Sequence, residues 1–306
     1  MGHKAQLLAV GENFRQIAAL MSAVVNLSCL DNSICADELA SKEDLSIWGF
    51  DDPVRSAHTY IRLLAGTCIG LGQDISALLD SNRQSVLGTF PLSRSLVEAG
   101  SRLFVLSNPD WTLEERVGGY LAFVRRELNQ RQAQIEQQFD YDGINEFDSE
   151  VTGEQLLREA GADNKAHLRS IDTFFQKHPD LEVNQPKEVD SVKAVFTSTA
   201  QRHTSLPSNL AEALAISTYS DLSSISHSYP RGLGSLTDNK LGVFAVSTKQ
   251  VATGLDPALD CWLTGFERAA LMFGWPYHSP KPSSSQYTKR PVPPARFAVR
   301  TAGIAS

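Results

Sequence analysis

No Gly-x-x-x-x-Gly-Lys-Ser/Thr, His-Glu-x-x-His or Gly-x-Ser-x-Gly occurs in the 306 residues. That removes the phosphate-cradling loop, the zincin helix and the hydrolase nucleophile elbow. Cysteine is scarce: Cys29, Cys35, Cys68 and Cys261 form no Cys-x-x-Cys pair and no zinc-like spacing. Four cysteines in a chain this long do not suggest a secreted disulfide scaffold, and they are expected as reduced, mostly buried thiols of a cytoplasmic protein. Long apolar runs are also missing. Ala18–Val25 and Leu63–Leu71 are too short for a membrane span, and the N-terminus lacks a basic stretch leading into a sustained apolar one. The expectation is no membrane and no signal peptide.

Basic charge is in short supply as well. With 28 Lys and Arg against 35 Asp and Glu, the chain carries −7. Nucleic acid is therefore an unfavoured partner, because binding it means neutralising phosphates. The deficit is uneven. Lys281, Lys289, Arg290, Arg296 and Arg300 fall after residue 276 with no acid among them, so the remaining body has 23 basic and 35 acidic side chains, net −12. This divides the chain into a helical domain, residues 1–276, and a basic Pro/Ser-rich tail, residues 277–306, expected to be extended and able to dock on an acidic body.

What is present reads as helices from end to end. Glu12–Leu27 places Phe14, Ile17, Ala18, Met21, Val24 and Val25 at helical spacing. Asp51-Asp52-Pro53 has the chemistry of a helix start, and the helix it opens runs to about Leu79. Within it, Gly66-x-x-x-Gly70 suggests close backbone packing. Pro91 opens another helix that Asn108-Pro109 closes, and Asp110-Trp111-Thr112-Leu113-Glu114-Glu115 reads as the cap of a helix reaching about Phe139. Shorter helices are expected at Gly153–Ala160, Lys165–Lys177 and Val189–Thr199, and firmer ones at Asn209–His227 and Ala258–Phe273. Gly242–Ser247 fits strand, helix or loop equally. The fold class is all-α, a multi-helix bundle.

Two helices carry candidate chemistry. Arg94, Glu98 and Arg102 fall within an arc of about 80°, opposite Leu92, Leu96, Ala99, Leu103 and Leu106. They form either a solvated stripe or a polar face turned into the bundle. The small Ser95 and Ser101 flanking them, and Val105 among them, favour keeping the second option. The segment Ala213–Tyr229 is dense in hydroxyls and holds one full charge, Asp221, where roughly four would be usual. There Glu212, Tyr219, Ser223 and His227 share a strip opposite Leu210, Leu214 and Ile225. A buried strip of this kind needs partners, which arginine and glutamate on a facing helix can supply.

These motifs, Arg94-x-x-x-Glu98-x-x-x-Arg102, Pro109-Asp-Trp-Thr-Leu-Glu-Glu-Arg116, Tyr219-x-x-Leu-Ser-x-x-x-His227 and Phe273-Gly-Trp275, occur in this order. Together they resemble an uncharacterised family of all-helical bacterial proteins, distantly similar to the HEPN-type helical fold, over about residues 50–275. The resemblance implies a helical fold with both stripes as shared features, and it lends no activity. HEPN-type ribonucleases resemble one another in an Arg-x(4–6)-His motif, which this chain lacks.

Metal chemistry finds little support. Asp51-Asp52 is followed by proline where a class I terpene synthase would continue its acidic cluster. The acidic Asp140–Glu150 connection fails the EF-hand pattern: with Gly143 sixth, positions one and twelve are Gln138 and Ser149. No metal and no cofactor is expected.

Two classes of function stay open. In the first, Arg94 and Arg102 bind an anionic or carbonyl group of a small molecule, Tyr219 and Ser223 position it, and His227 and Glu98 act as acid and base. That chemistry would suit a metal-independent lyase, cyclase or hydrolase. In the second, the chain is an interaction or regulatory protein, HEPN-like and of defence or toxin–antitoxin type, and a homodimer.

Overall fold

A computed structural model describes residues 3–80, 86–139, 153–183, 188–203, 208–227, 237–238, 243–244 and 248–277. Its helices are α1 (His3–Val25), α2 (Ile34–Ala40), α3 (Pro53–Asp80), α4 (Val86–Leu106), α5 (Leu113–Phe139), α6 (Gly153–Lys177), α7 (Pro179–Val183), α8 (Glu188–His203), α9 (Ser208–Ser226) and α10 (Thr248–Phe273). The chain is all-α apart from a two-residue antiparallel ladder, β1 (Thr237–Asp238) with β2 (Val243–Phe244). The tail from residue 278 and the acidic connection at 140–152 lie outside the described residues.

Helix starts follow their side chains. Asp52 accepts the Arg55 N–H at 2.8 Å ahead of Pro53, as a first-turn proline permits. At α5 the capping box is complete: Thr112 Oγ1 accepts from Glu115 N–H at 3.2 Å, and Glu115 Oε2 accepts from Thr112 N–H at 2.8 Å.

Tertiary burial overrides local signals in three places. α4 begins at Val86 instead of Pro91, and the proline lies inside it. Phe90, 3% exposed, is buried on that early turn against Gly254, which offsets the missing N–H bond. α10 begins at Thr248 and runs through Pro257, because Val251 and Leu255 are buried core residues. α6 is one helix from 153 to 177. Buried Asn164, in the expected gap, donates to Leu128 O at 2.9 Å and Gln132 Oε1 at 3.1 Å of α5.

α4 is the hub, packing on α3, α8, α9 and α10. It runs parallel to α10, with Phe90 beside Gly254, Gly100 beside Cys261 and Gly265, and Phe104 beside Arg268. The crossing needs glycine on both sides: a Cβ on Gly265 would stand 2.5 Å from the Gly100 carbonyl oxygen, and one on Gly100 2.8 Å from Cys261 backbone. Close packing therefore falls here and at Gly72, against Trp262, whereas Gly66 and Gly70 have nothing within 4 Å of an added Cβ. A second cluster, with Leu45, Ile47, Val117, Leu121, Ile171 and Phe175, joins α5 and α6 to the chain before α3.

Candidate functional site

The helix α4 carries Arg94 and Glu98 one turn apart on the side that meets α9. Arg94 Nε donates to Glu98 Oε1 at 2.9 Å, and the Tyr219 hydroxyl of α9 donates to the same oxygen at 2.8 Å. The Arg94 guanidinium lies 5.9 Å from the centre of the Tyr219 ring. Its Nη1 reaches His227 Nε2, just past the end of α9. Four groups from segments 121 to 133 residues apart thus meet in one place.

The cluster is neither a solvated stripe nor sealed in the core. Arg94 is 22% and Glu98 26% exposed, Tyr219 is half-buried and His227 exposed. α9 packs on both α8 and α4, and its buried side chains are Ala211, Ala215 and Leu222. Leu210 and Leu214, on the side opposite Tyr219, remain 45% and 46% exposed. Glu212 is exposed and stands apart, beside a groove described below. Ser223 accepts the His227 backbone N–H through its carbonyl at 3.0 Å, which holds the last turn of α9 in place.

Electrostatics hold the guanidinium charged. Burial works against the Arg94 charge, but Glu98 and Tyr219 outweigh it and keep the group above its ordinary value. Burial, with the Glu98 contact, pushes the Tyr219 phenol up, so it remains a donor at neutral pH. A guanidinium can only donate. The Arg94 contact therefore assigns the lone pair of His227 to Nε2 and its proton to Nδ1. An anionic or carbonyl oxygen arriving at Arg94 Nη1 would compete with that imidazole and release a basic nitrogen beside the ligand.

Arg102, two turns on from Arg94, belongs to a different assembly. Its Nη2 donates to Glu188 Oε2 at 3.1 Å and its Nε spans both Glu188 oxygens at 3.3 Å. Its Nη1 meets the Tyr60 hydroxyl at 3.4 Å and Glu127 Oε1 at 3.3 Å. Arg126 adds a second cation to Glu188 at 3.1 Å. Glu188 is buried in the first turn of α8, where the helix dipole also favours an acid. Burial opposes the Arg102 charge, yet Glu188 prevails and raises its pKa.

Sequence reasoning missed the most buried ion cluster. Arg116, fully buried, donates to Glu38 at 2.9 and 3.0 Å, to Asn108 O at 3.1 Å, to Trp111 O at 3.4 Å and to Leu106 O. His58 Nε2 stands 3.0 Å from Glu38 Oε2, at ion-pair distance without the alignment of a hydrogen bond. Although burial works against the Glu38 charge, His58 and Arg116 hold its pKa below the ordinary value. The available signal was Arg116 itself, a charge on the same helical face as Gly119, Tyr120 and Phe123.

A shallow groove of about 510 Å³ opens along α8 between Phe104 and Glu212, some ten residues or roughly 15 Å along α4 from Arg94. Arg268 lies 3.5 Å from the centre of the Phe104 ring, and Lys193 pairs with Asp190 at 3.5 Å. Asp190, Glu212, Lys193 and Arg268 balance in charge. We place the candidate site at Arg94 because there charged and aromatic groups converge from two helices on one point. Among the described residues no group of three or more His, Cys, Asp or Glu is disposed to hold a metal ion, and no helix is long and apolar enough to cross a membrane. Comparison with protein-family models, curated proteins and solved structures gives no match, so the functional reading rests on this geometry.

Proposed function

We infer that the α4–α9 junction binds a small molecule bearing an anionic or carbonyl oxygen, with Arg94 as its anchor. The observation that carries this is the convergence of Arg94, Glu98, Tyr219 and His227 while the group stays partly open to solvent. In this reading Glu98 and Tyr219 hold the guanidinium fork in one orientation, and His227 is the acid–base group released by the ligand. The chemistry fits a metal-independent lyase, cyclase or hydrolase. Arg102 lies outside the contact shell and supports α4 through Glu188.

The test is a panel of small carboxylates, phosphates and keto acids in thermal-shift and calorimetric titrations, with wild type, Arg94→Gln and His227→Ala. Binding weakened at least tenfold by Arg94→Gln, with the fold retained, supports the reading. Equal affinity in wild type and Arg94→Gln, or no binding by any member, sinks it.

A second reading, a HEPN-like interaction or regulatory protein that forms homodimers, draws on a different observation. Leu210, Leu214 and Ile216 are each nearly half exposed on α9. A dimer in light scattering that Leu214→Lys dissolves, with no ligand response anywhere, would favour it.

A further inference from the structure

Glu98 Oε1 takes two bonds at the α4–α9 junction, one from Arg94 Nε at 2.9 Å and one from the Tyr219 hydroxyl at 2.8 Å. Orienting the guanidinium needs only an acceptor there, and an amide oxygen would serve as well. The carboxylate adds a full negative charge, 26% exposed, directly beside the cation.

Among the described residues, the surrounding charges do not compensate for it. Tyr219 supplies a neutral donor. Arg102 stands two turns further along α4, about 12 Å away, and its own charge is met by Glu188 at 3.1 Å. Asp221 is one more acid, turned about 160° from Tyr219 around α9. Arg94 and Glu98 therefore sum to zero, and His227 adds a positive charge only when protonated.

An oxyanion that reaches Arg94 meets Nη1, where His227 Nε2 stands, and Nη2, which carries neither printed-on-edge contact of Nε and Nη1. Two oxygens of one ligand fit that end of the fork. The first negative charge is offset by the guanidinium. A second charge on the ligand has no cation to meet and is repelled by Glu98 across a partly desolvated gap.

We propose that Glu98 is the specificity-determining residue of this site, admitting a singly charged oxyanion such as a monocarboxylate and rejecting dianions such as a phosphate monoester. The assignment rests on the reading above, in which Arg94 anchors the ligand. Selection works by a repulsive element built beside the attractive one.

The probes are benzoate and benzenesulfonate, each singly charged, and phenyl phosphate, doubly charged at pH 8 because a phosphate monoester loses its second proton at pH ~6. Benzenesulfonate has the three-oxygen head of phosphate, so it separates charge from shape. Calorimetric titration gives the affinity of each for the full chain as wild type, Arg94→Gln and Glu98→Gln, with circular dichroism as the check on folding. Wild type should bind both single anions about tenfold tighter than phenyl phosphate. Glu98→Gln keeps the acceptor for Arg94 and Tyr219 and removes the charge, so that ratio should fall towards one. A second readout needs no variant: in wild type the benzenesulfonate to phenyl phosphate ratio should also fall towards one below pH ~6, where phenyl phosphate regains its proton. Phenyl phosphate bound as tightly as benzenesulfonate at pH 8, or a ratio unmoved by both Glu98→Gln and acid, overturns the specificity assignment, while the Arg94 anchor stands if Arg94→Gln weakens all three probes. If no probe binds wild type, or Arg94→Gln has no effect, the anchor falls and the assignment falls with it.

Discussion

Replacing Arg116 by methionine tests the physical account of the molecule most severely. The side chain is fully buried and donates to the Glu38 carboxylate and to three backbone carbonyls that close the α4–α5 connection. Methionine fills much of the same space and supplies no donor. Glu38, 9% exposed, is then left with His58 at its side. Removing one partner of a buried pair costs about 3–5 kcal/mol, because the other charge stays desolvated. Chain-length scaling turns that into a fall in Tm on the order of 10 °C. Urea unfolding followed by circular dichroism measures it. Adding Glu38→Gln to Arg116→Met should cost less than the two single changes together, with a coupling of at least ~1 kcal/mol. The acid limb changes too. Glu38 is held below its ordinary value, so its contribution is present above pH ~4.5 and is lost as pH falls through the lower folded value. Arg116→Met should flatten that loss. An Arg116→Met chain within about 1 kcal/mol of wild type, or strict additivity with Glu38→Gln, would refute the buried-pair argument.

Other outcomes follow from the same structure. Gly265→Ala should destabilise by about 3 kcal/mol, because its Cβ meets the Gly100 carbonyl oxygen, and backbone cannot swing aside. Gly66→Ala, exposed with open space around it, should stabilise by about 0.5–1 kcal/mol. Urea midpoints in the reverse order would dismiss the assigned α4–α10 crossing. Burial, aided by Asp256 one turn away, pushes Asp260 up to about 7. A carboxyl raised in the folded chain contributes most at low pH and loses that contribution as pH rises through about 7. Stability relative to Asp260→Asn should therefore drop between pH 4 and pH 8, and a pH-independent difference between the two chains would sink the claim.

Helix identity was legible where apolar spacing and caps agreed. Asp52-Pro53 and the Thr112–Glu115 box sit at the starts their chemistry implies. Extents were less legible, because Pro91, Pro257 and the Gly161–Asn164 stretch argue locally for breaks that Phe90, Val251, Leu255 and Asn164 override through contacts with other helices. The same asymmetry governs the polar residues. Arg94 and Glu98 could be grouped from one helix and Tyr219 and His227 from another, since each pair shares a face. Arg102 could not be separated from Arg94 by spacing. Its partner Glu188 lies 86 residues away, and only the packing of α8 on α4 brings it there. Glu38 and Arg116, 78 residues apart, were hidden for the same reason.

The contrast between the two arginines of α4 bears on function. Arg102 meets a carboxylate that is 6% exposed, through a forked contact reinforced by Arg126, which is the arrangement in which a buried pair offsets its desolvation. Arg94 and Glu98 are each about a quarter exposed and joined by one bond within a single helix. Such a pair contributes a few tenths of a kcal/mol. Stability thus gives little reason to bring a tyrosine and a histidine from α9 onto it. What Tyr219 and His227 do secure is orientation: the guanidinium is held on one edge by Glu98, itself bonded to Tyr219, and on the other by the His227 imidazole. In the ligand-binding proposal this pair, a charge oriented at low cost and partly open to solvent, is the anchor that an anionic or carbonyl oxygen would meet.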